Sequence, residues 1–170
     1  KYPVSYGEYG EAAHSRKPPK CFYDADLPLI EKALEPFSKS DAEMFRMLGS
    51  NGKPAHKTFD CAIMEVADDI AYGVHDLEDG IGRKLLKKED TADKIQNIFL
   101  ECGIEEITTG SFKISLNDLI NNLFSSKPSK RKFAISILVG YFIEQVYISP
   151  QNLFDSPYFD LTVEMPEGPK

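Results

Sequence analysis

The chain has 170 residues, of which 42% are hydrophobic and 28% are charged, which is typical of a globular domain with its own core. With a formal net charge of -7, the surface as a whole should not attract nucleic acid. A polyanionic ligand would need local basic groups or a metal. The three cysteines are widely spaced and include no CxxC pair, which argues against a disulfide framework and favours a cytoplasmic setting. The most apolar run, 133–143, is about half the length of a membrane span, so no membrane partner is expected.

The first quarter of the chain predicts loop and two short helices. Residues 1–26 are rich in Tyr, Gly and Pro and show no helical period, which is typical of ordered loop. Helices are predicted over 27–37 and 40–48. The second of these begins with a capping box formed by Ser40 and Glu43.

The central stretch, 57–83, predicts a long helix with two different faces. One face gathers apolar residues at the i, i+3, i+4 spacing, namely Ile63, Val66, Ile70, Val74, Leu77 and Ile81. The opposite face, within about 100° of arc, gathers Glu65, Asp68, Tyr72, His75, Asp76 and Asp79. Since 60–82 contains seven acids and no Lys or Arg, this face repels itself unless a cation or cationic side chains lie against it. The alternative is an ordinary solvated surface.

The second half of the chain predicts mainly helix with a small β element. Three helices are predicted, over residues 91–102, 115–124 and 133–147. Weak alternation predicts a strand near 110–115, and a second strand is predicted over 158–165. We expect these two strands to pair, so the predicted fold class is mainly α with a two-stranded β element.

The basic cluster of the chain, KPSKRK over 127–132, directly precedes the predicted helix over 133–147. Cations at a helix N-terminus are unfavourable to the helix dipole, and a bound phosphate would relieve this. Lys130, Arg131 and Lys132 are therefore candidate contacts for an effector nucleotide or for nucleic acid. The alternative is a solvated loop.

The segment VADDIAYGVHDLEDGI, 66–81, resembles the last signature of the bacterial deoxynucleoside triphosphate triphosphohydrolases, the dGTPase branch of the HD-domain phosphohydrolases. The resemblance implies a partial HD-type helical bundle and a divalent cation, Mg or Mn, with Asp68 as its final ligand. It also implies that Tyr72 and Asp76 face the deoxyribose and its 3′-hydroxyl. The i, i+4, i+8 spacing projects all three side chains from one helix face.

A weaker resemblance covers the start of the chain. Lys1-Tyr2-Pro3 is similar to the LKYP segment of the family, and Lys20 with the aromatic residues after it is similar to a later segment. The resemblance implies that Lys1, Tyr2 and Lys20 contact the phosphates or the sugar. Lys17 is an alternative match to Lys20, and a surface lysine is the alternative reading of either.

A metal site of this family also draws a His and a His-Asp pair, which the sequence does not supply. His14 and His56 are interpreted as surface histidines, and His75-Asp76 matches the sugar-binding end of the signature instead. We therefore expect 1–170 to be a single helical unit and the C-terminal part of a longer enzyme, inactive alone.

The intact enzyme is expected to hydrolyse a dNTP, with dGTP among the candidates, to deoxynucleoside and inorganic triphosphate. A homo-oligomer and a dNTP effector are the expected partners. Two alternatives stay open: an HD phosphohydrolase of different substrate, and a non-catalytic helical module for oligomerisation or nucleotide-binding regulation.

Overall fold

A computed structural model describes residues 4–12, 21–50 and 53–166. In these ranges the helices are α1 (Tyr6–Ala12), α2 (Leu27–Leu34), α3 (Lys39–Phe45), α4 (Phe59–Gly82), α5 (Lys88–Glu101), α6 (Leu116–Leu123), α7 (Pro128–Glu144) and α8 (Pro157–Asp160). The strands are β1 (Glu106–Thr109), β2 (Phe112–Ser115), β3 (Tyr147–Pro150) and β4 (Leu161–Glu164). The prediction of a mainly helical fold with a short β element is confirmed. None of the described helices is long and apolar enough to cross a membrane.

The strands pair differently from the sequence prediction. β1 and β2 form an antiparallel hairpin in which Glu106 lies opposite Ser115 and Thr109 opposite Phe112, while β3 pairs with β4. The expected pairing of 110–115 with 158–165 is therefore wrong. A two-residue turn closes the hairpin, and Gly110 adopts there the positive φ of 55° that such turns require.

Part of the predicted second strand is helical instead. Pro157 occupies the first turn of α8, and the Ser156 side chain accepts a hydrogen bond from the N–H of Tyr158 at 3.3 Å. Phe159 therefore lies on a helix, and the extended segment begins only at Leu161.

Contacts between residues group the chain into two compact units, Lys1–Met64 with Ile148–Val163, and Glu65–Tyr147 with Glu164–Lys170. The single helical unit over 1–170 stays a prediction.

The first unit has a small aromatic core. Phe45, Phe154 and Phe159 are buried, and the ring of Phe159 lies 4.6 Å from that of Phe45 and 5.7 Å from that of Phe154. The buried carboxylate of Asp41 accepts hydrogen bonds from the backbone N–H groups of Asp155 at 3.0 Å and Ser156 at 2.8 Å. One side chain of α3 thus holds the turn that carries two of the three core rings.

The second unit is built around a larger core. Its largest fully buried side chains are Ile107 of β1 and Leu119 and Leu123 of α6. α4 adds the predicted apolar face from Val66 onward, so that prediction is confirmed for every member except Ile63. Ile63 is 45% exposed because it lies one turn before the packed stretch begins.

Three helix starts differ from the prediction. α1 was not predicted, yet Ser5 and Glu8 form a reciprocal capping box, with Ser5 N–H to Glu8 Oε2 at 2.8 Å. α3 is capped by Ser38 rather than Ser40, because Ser38 Oγ accepts from the N–H of Asp41 at 3.1 Å. α7 begins at Pro128, so the basic cluster forms its first turns instead of preceding it.

Candidate functional site

The candidate site lies on α4, whose ends are fixed by local hydrogen bonds. Thr58 Oγ1 accepts from the N–H of Cys61 at 3.4 Å and so caps the first turn. At the other end Lys84 adopts a left-handed φ of 60°, and the N–H groups of Lys84 and Leu85 donate to the carbonyls of Ile81 and Gly80. Local hydrogen bonds therefore define both ends of α4, and the whole acidic face lies between them.

The first turn of α4 has a further contact within the first unit. The Tyr158 hydroxyl donates to Asp60 Oδ2 at 3.2 Å. Partial burial raises the pKa of Tyr158 above its ordinary value, and the negative charge of Asp60 acts in the same direction. The two residues are 98 positions apart in sequence, so no local pattern could have predicted this contact.

The three predicted site residues on α4 all lie on its solvent-exposed side. Asp68, Tyr72 and Asp76 are exposed, with Tyr72 at 68%, whereas Ile70 and Val74 on the opposite side are buried. Successive members are four residues apart, which separates them by about 6 Å along the helix axis. The structure thus brings these three together as one column. Within the described ranges no residue forms a hydrogen bond or an ion pair with the side chains of these three residues.

One acid of the same face, Asp79, and a neighbouring acid outside that face, Glu78, have local partners. Asp79 Oδ2 lies 3.0 Å from Arg83 Nη2, and Glu78 Oε2 lies 4.0 Å from His75 Nδ1. Arg83 follows the stretch that lacks basic residues, so it relieves only the C-terminal end of the column. Asp68 and Asp76 have no such partner among the described residues, so their carboxylates are open to a ligand.

The acidic face of α4 can supply one ligand to a metal site. No group of three or more metal-ligating side chains occurs among the described residues. Asp76 is about 12 Å from Asp68 along the axis, too far to share an ion with it. Asp69 projects about 100° away. An exposed carboxylate without a partner, such as Asp68, has the oxygen chemistry that Mg²⁺ and Mn²⁺ prefer.

Lys1, Tyr2 and Lys20 lie outside the described residues, but the structure relates their neighbours. Ser5 forms a parallel bridge with Phe22, in which the N–H of Phe22 donates to the Val4 carbonyl at 3.1 Å. The residues that follow the two lysine-bearing segments are therefore side by side.

The basic cluster is divided between exposed and structural side chains. Lys130 and Lys132 are exposed, whereas Arg131 is partly buried and its Nη1 donates to the Ser125 carbonyl at 2.9 Å. Arg131 therefore satisfies a carbonyl beyond the end of α6 and is less available to a ligand. His56, predicted at the surface, instead packs edge-on against Phe154 with ring centroids 5.0 Å apart.

Comparison with known proteins gives consistent relatives. No protein-family model matches the chain. The chain is 38% identical over 130 residues to deoxyguanosinetriphosphate triphosphohydrolase-like protein 2 of Deinococcus radiodurans, covering 76% of the chain and 28% of the relative. It is 32% identical over 175 residues to a deoxyguanosinetriphosphate triphosphohydrolase-like protein of Shewanella halifaxensis (92% and 38%). The like-named protein of Shewanella baltica is 32% identical over 189 residues (96% and 41%). The chain thus spans between 28% and 41% of the length of these relatives.

Proposed function

Because the chain belongs to the deoxyguanosinetriphosphate triphosphohydrolase-like proteins, we propose that α4 supplies one metal ligand and the sugar-binding face of a dNTP triphosphohydrolase. The observation that carries the proposal is the exposed column of Asp68, Tyr72 and Asp76, whose side chains have no partner within the described part of the chain. A column of unpaired carboxylates and a phenol on one helix face is suited to a ligand that brings positive charge and hydroxyl groups.

Asp68 would hold the divalent cation, Mg or Mn, through a carboxylate oxygen. When bound, such an ion polarises a phosphoryl oxygen and lowers the pKa of an attacking water. Because no group of three or more metal-ligating side chains occurs among the described residues, we propose that the remaining donors come from residues outside the described ranges.

Tyr72 and Asp76 would position the deoxyribose. The exposed Tyr72 ring offers an apolar face to the C2′ carbon and no partner for a 2′-hydroxyl, which disfavours ribonucleotides. The Asp76 carboxylate would accept a hydrogen bond from the 3′-hydroxyl. Lys1, Tyr2 and Lys20 are proposed to donate to the triphosphate, whose charge needs local cations in a chain of net charge -7.

Lys130 and Lys132 are proposed as contacts for a dNTP effector or for nucleic acid, because both are exposed in the first turns of α7. Arg131 has its own structural partner, so it would contribute less than these two lysines.

The test measures the products released by the full-length gene product containing this chain. Deoxynucleoside plus inorganic triphosphate are expected. Release of phosphate or pyrophosphate would instead indicate another HD phosphohydrolase, and no hydrolysis at all would favour a non-catalytic helical module. Asp76→Ala should raise KM and weaken discrimination against ribonucleotides while retaining the metal, and metal loss in that variant would contradict the assignment of the two acids.

A further inference from the structure

The second unit contains an open cavity of about 800 Å³ between α4, α5 and α7. Its floor is formed by core side chains that are almost fully buried, including Val74, Phe99 and Leu138. Cavities of this size that are lined mainly by apolar side chains are typical of sites for small organic ligands. Asp68 and Asp76 do not line this cavity, so it is distinct from the column proposed above.

Aromatic rings form one wall of the cavity. The rings of Phe99 and Tyr141 lie 6.1 Å apart at 64°, and those of Tyr141 and Phe142 lie 5.6 Å apart at 64°. Burial raises the pKa of Tyr141, so its phenol stays neutral near pH 7. Faces and edges of such rings accommodate flat apolar groups, and the ring faces also attract cations.

The charged groups at the cavity are both acidic. Asp69 on α4 and Glu101 on α5 are exposed, and no Lys, Arg or His is among the described residues that line it. Neither carboxylate makes an ion pair with a described residue. This rim repels a nucleotide or another anion and complements a ligand that carries a positive charge.

From the apolar floor, the aromatic wall and the acidic rim together, we propose that this cavity binds an amphipathic organic cation. The apolar or aromatic body of the ligand lies against Phe99, Tyr141 and the α4 side chains. Its protonated amine lies at the rim between Asp69 and Glu101. The proposal is independent of the hydrolase proposal, because it concerns other residues and a ligand of opposite charge.

Gly73 offers a way to block the cavity without disturbing the fold. It lines the cavity on α4, and a Cβ built there meets no atom within 4 Å. Gly73→Leu therefore places a side chain in the cavity and also replaces a poor helix former with a good one. Gly82 on the same helix is equally open but does not line the cavity, so Gly82→Leu is the matched control.

The experiment titrates the full-length gene product with two fluorescent probes of the same aromatic group, cationic dansylcadaverine and anionic dansylglycine. Fluorescence anisotropy should show binding of dansylcadaverine and at least about tenfold weaker binding of dansylglycine. Gly73→Leu should abolish dansylcadaverine binding with unchanged helix content, whereas Gly82→Leu should retain it. The double variant Asp69→Asn with Glu101→Gln should weaken dansylcadaverine about three- to tenfold and leave dansylglycine unchanged or tighter.

Three results would overturn the proposal. The first is absence of dansylcadaverine binding to the full-length protein, which would mean that another part of that protein covers the cavity. The second is equal affinity for the two probes. The third is unchanged binding in Gly73→Leu. A loss of hydrolysis in the same preparations bears only on the proposed function, since none of these readouts measures turnover.

Discussion

The C-terminal cap of α4 allows a test of how much a left-handed backbone conformation costs when the residue is not glycine. Lys84 has a φ of 60°, a left-handed conformation that favours glycine, and the N–H of Leu85 donates to the Gly80 carbonyl at 2.9 Å. Gly103 has a φ of 74° after α5, and the N–H of Ile104 donates to the Phe99 carbonyl at 2.9 Å. The same cap is thus built once on lysine and once on glycine.

The two substitutions should change the free energy of unfolding in opposite directions. A left-handed conformation costs a residue with a Cβ about 1–2 kcal/mol, while glycine costs about 0.5–1 kcal/mol in chain entropy. Lys84→Gly should therefore stabilise the second unit by about 0.5–1 kcal/mol. Gly103→Ala should destabilise it by about 1 kcal/mol, because alanine adds the strain at a site with ample space.

Urea unfolding followed by helical circular dichroism measures both changes. With an m value near 2 kcal/mol/M, the midpoint should rise by about 0.3–0.5 M for Lys84→Gly and fall by about 0.5 M for Gly103→Ala. A lower midpoint for Lys84→Gly, or no change for Gly103→Ala, would refute the reasoning from backbone strain.

Other residues give sharper local tests. Asp41→Ala should lower the free energy of unfolding by about 2–4 kcal/mol, because the N–H groups of 155–156 lose their acceptors. Asp41→Asn keeps one oxygen acceptor and should cost clearly less. Equal costs of the two variants in urea unfolding would contradict the role of the carboxylate as acceptor. The pKa of Glu8 is lowered from 4.5, first by the N–H at its helix N-cap, so its stabilisation is present above that pH and disappears as pH falls through the folded value. Glu8→Gln should therefore cost stability at pH 7 and progressively less as the pH falls through the folded pKa of Glu8, and a cost that does not change with pH would contradict a stabilising charge on Glu8. Arg131→Ala should destabilise the protein by about 1 kcal/mol, because its hydrogen bond to the Ser125 carbonyl is lost. Lys130→Ala should destabilise it by less than about 0.5 kcal/mol. The reverse order of the two variants in thermal unfolding would disprove the structural role of the arginine.

How much the sequence could predict depends on how local each determinant is. The long helix over 57–83 followed from apolar periodicity, and the structure places Ile70, Val74 and Ile81 in the core as expected. The Ser5 and Glu8 capping box was also present in the sequence, but it starts a helix of only 7 residues, too short for a periodic pattern.

Long-range determinants left no local signal. The contact between Asp41 and the turn at 155–156 joins residues more than a hundred positions apart. The partner of β4 could not be inferred from alternation, since alternation reports which face is buried and not which strand lies alongside. The column of Asp68, Tyr72 and Asp76 could be predicted as one helix face, but its ligand depends on groups beyond that helix.

Metal binding to the full-length gene product tests the central claim most directly. We expect the unsubstituted protein and the Asp69→Ala control to bind Mn²⁺ with equal affinity by electron paramagnetic resonance. Asp68→Ala should lose both that binding and turnover. Undiminished Mn²⁺ binding in Asp68→Ala, or its loss in Asp69→Ala instead, would contradict the assignment of Asp68 as a metal ligand.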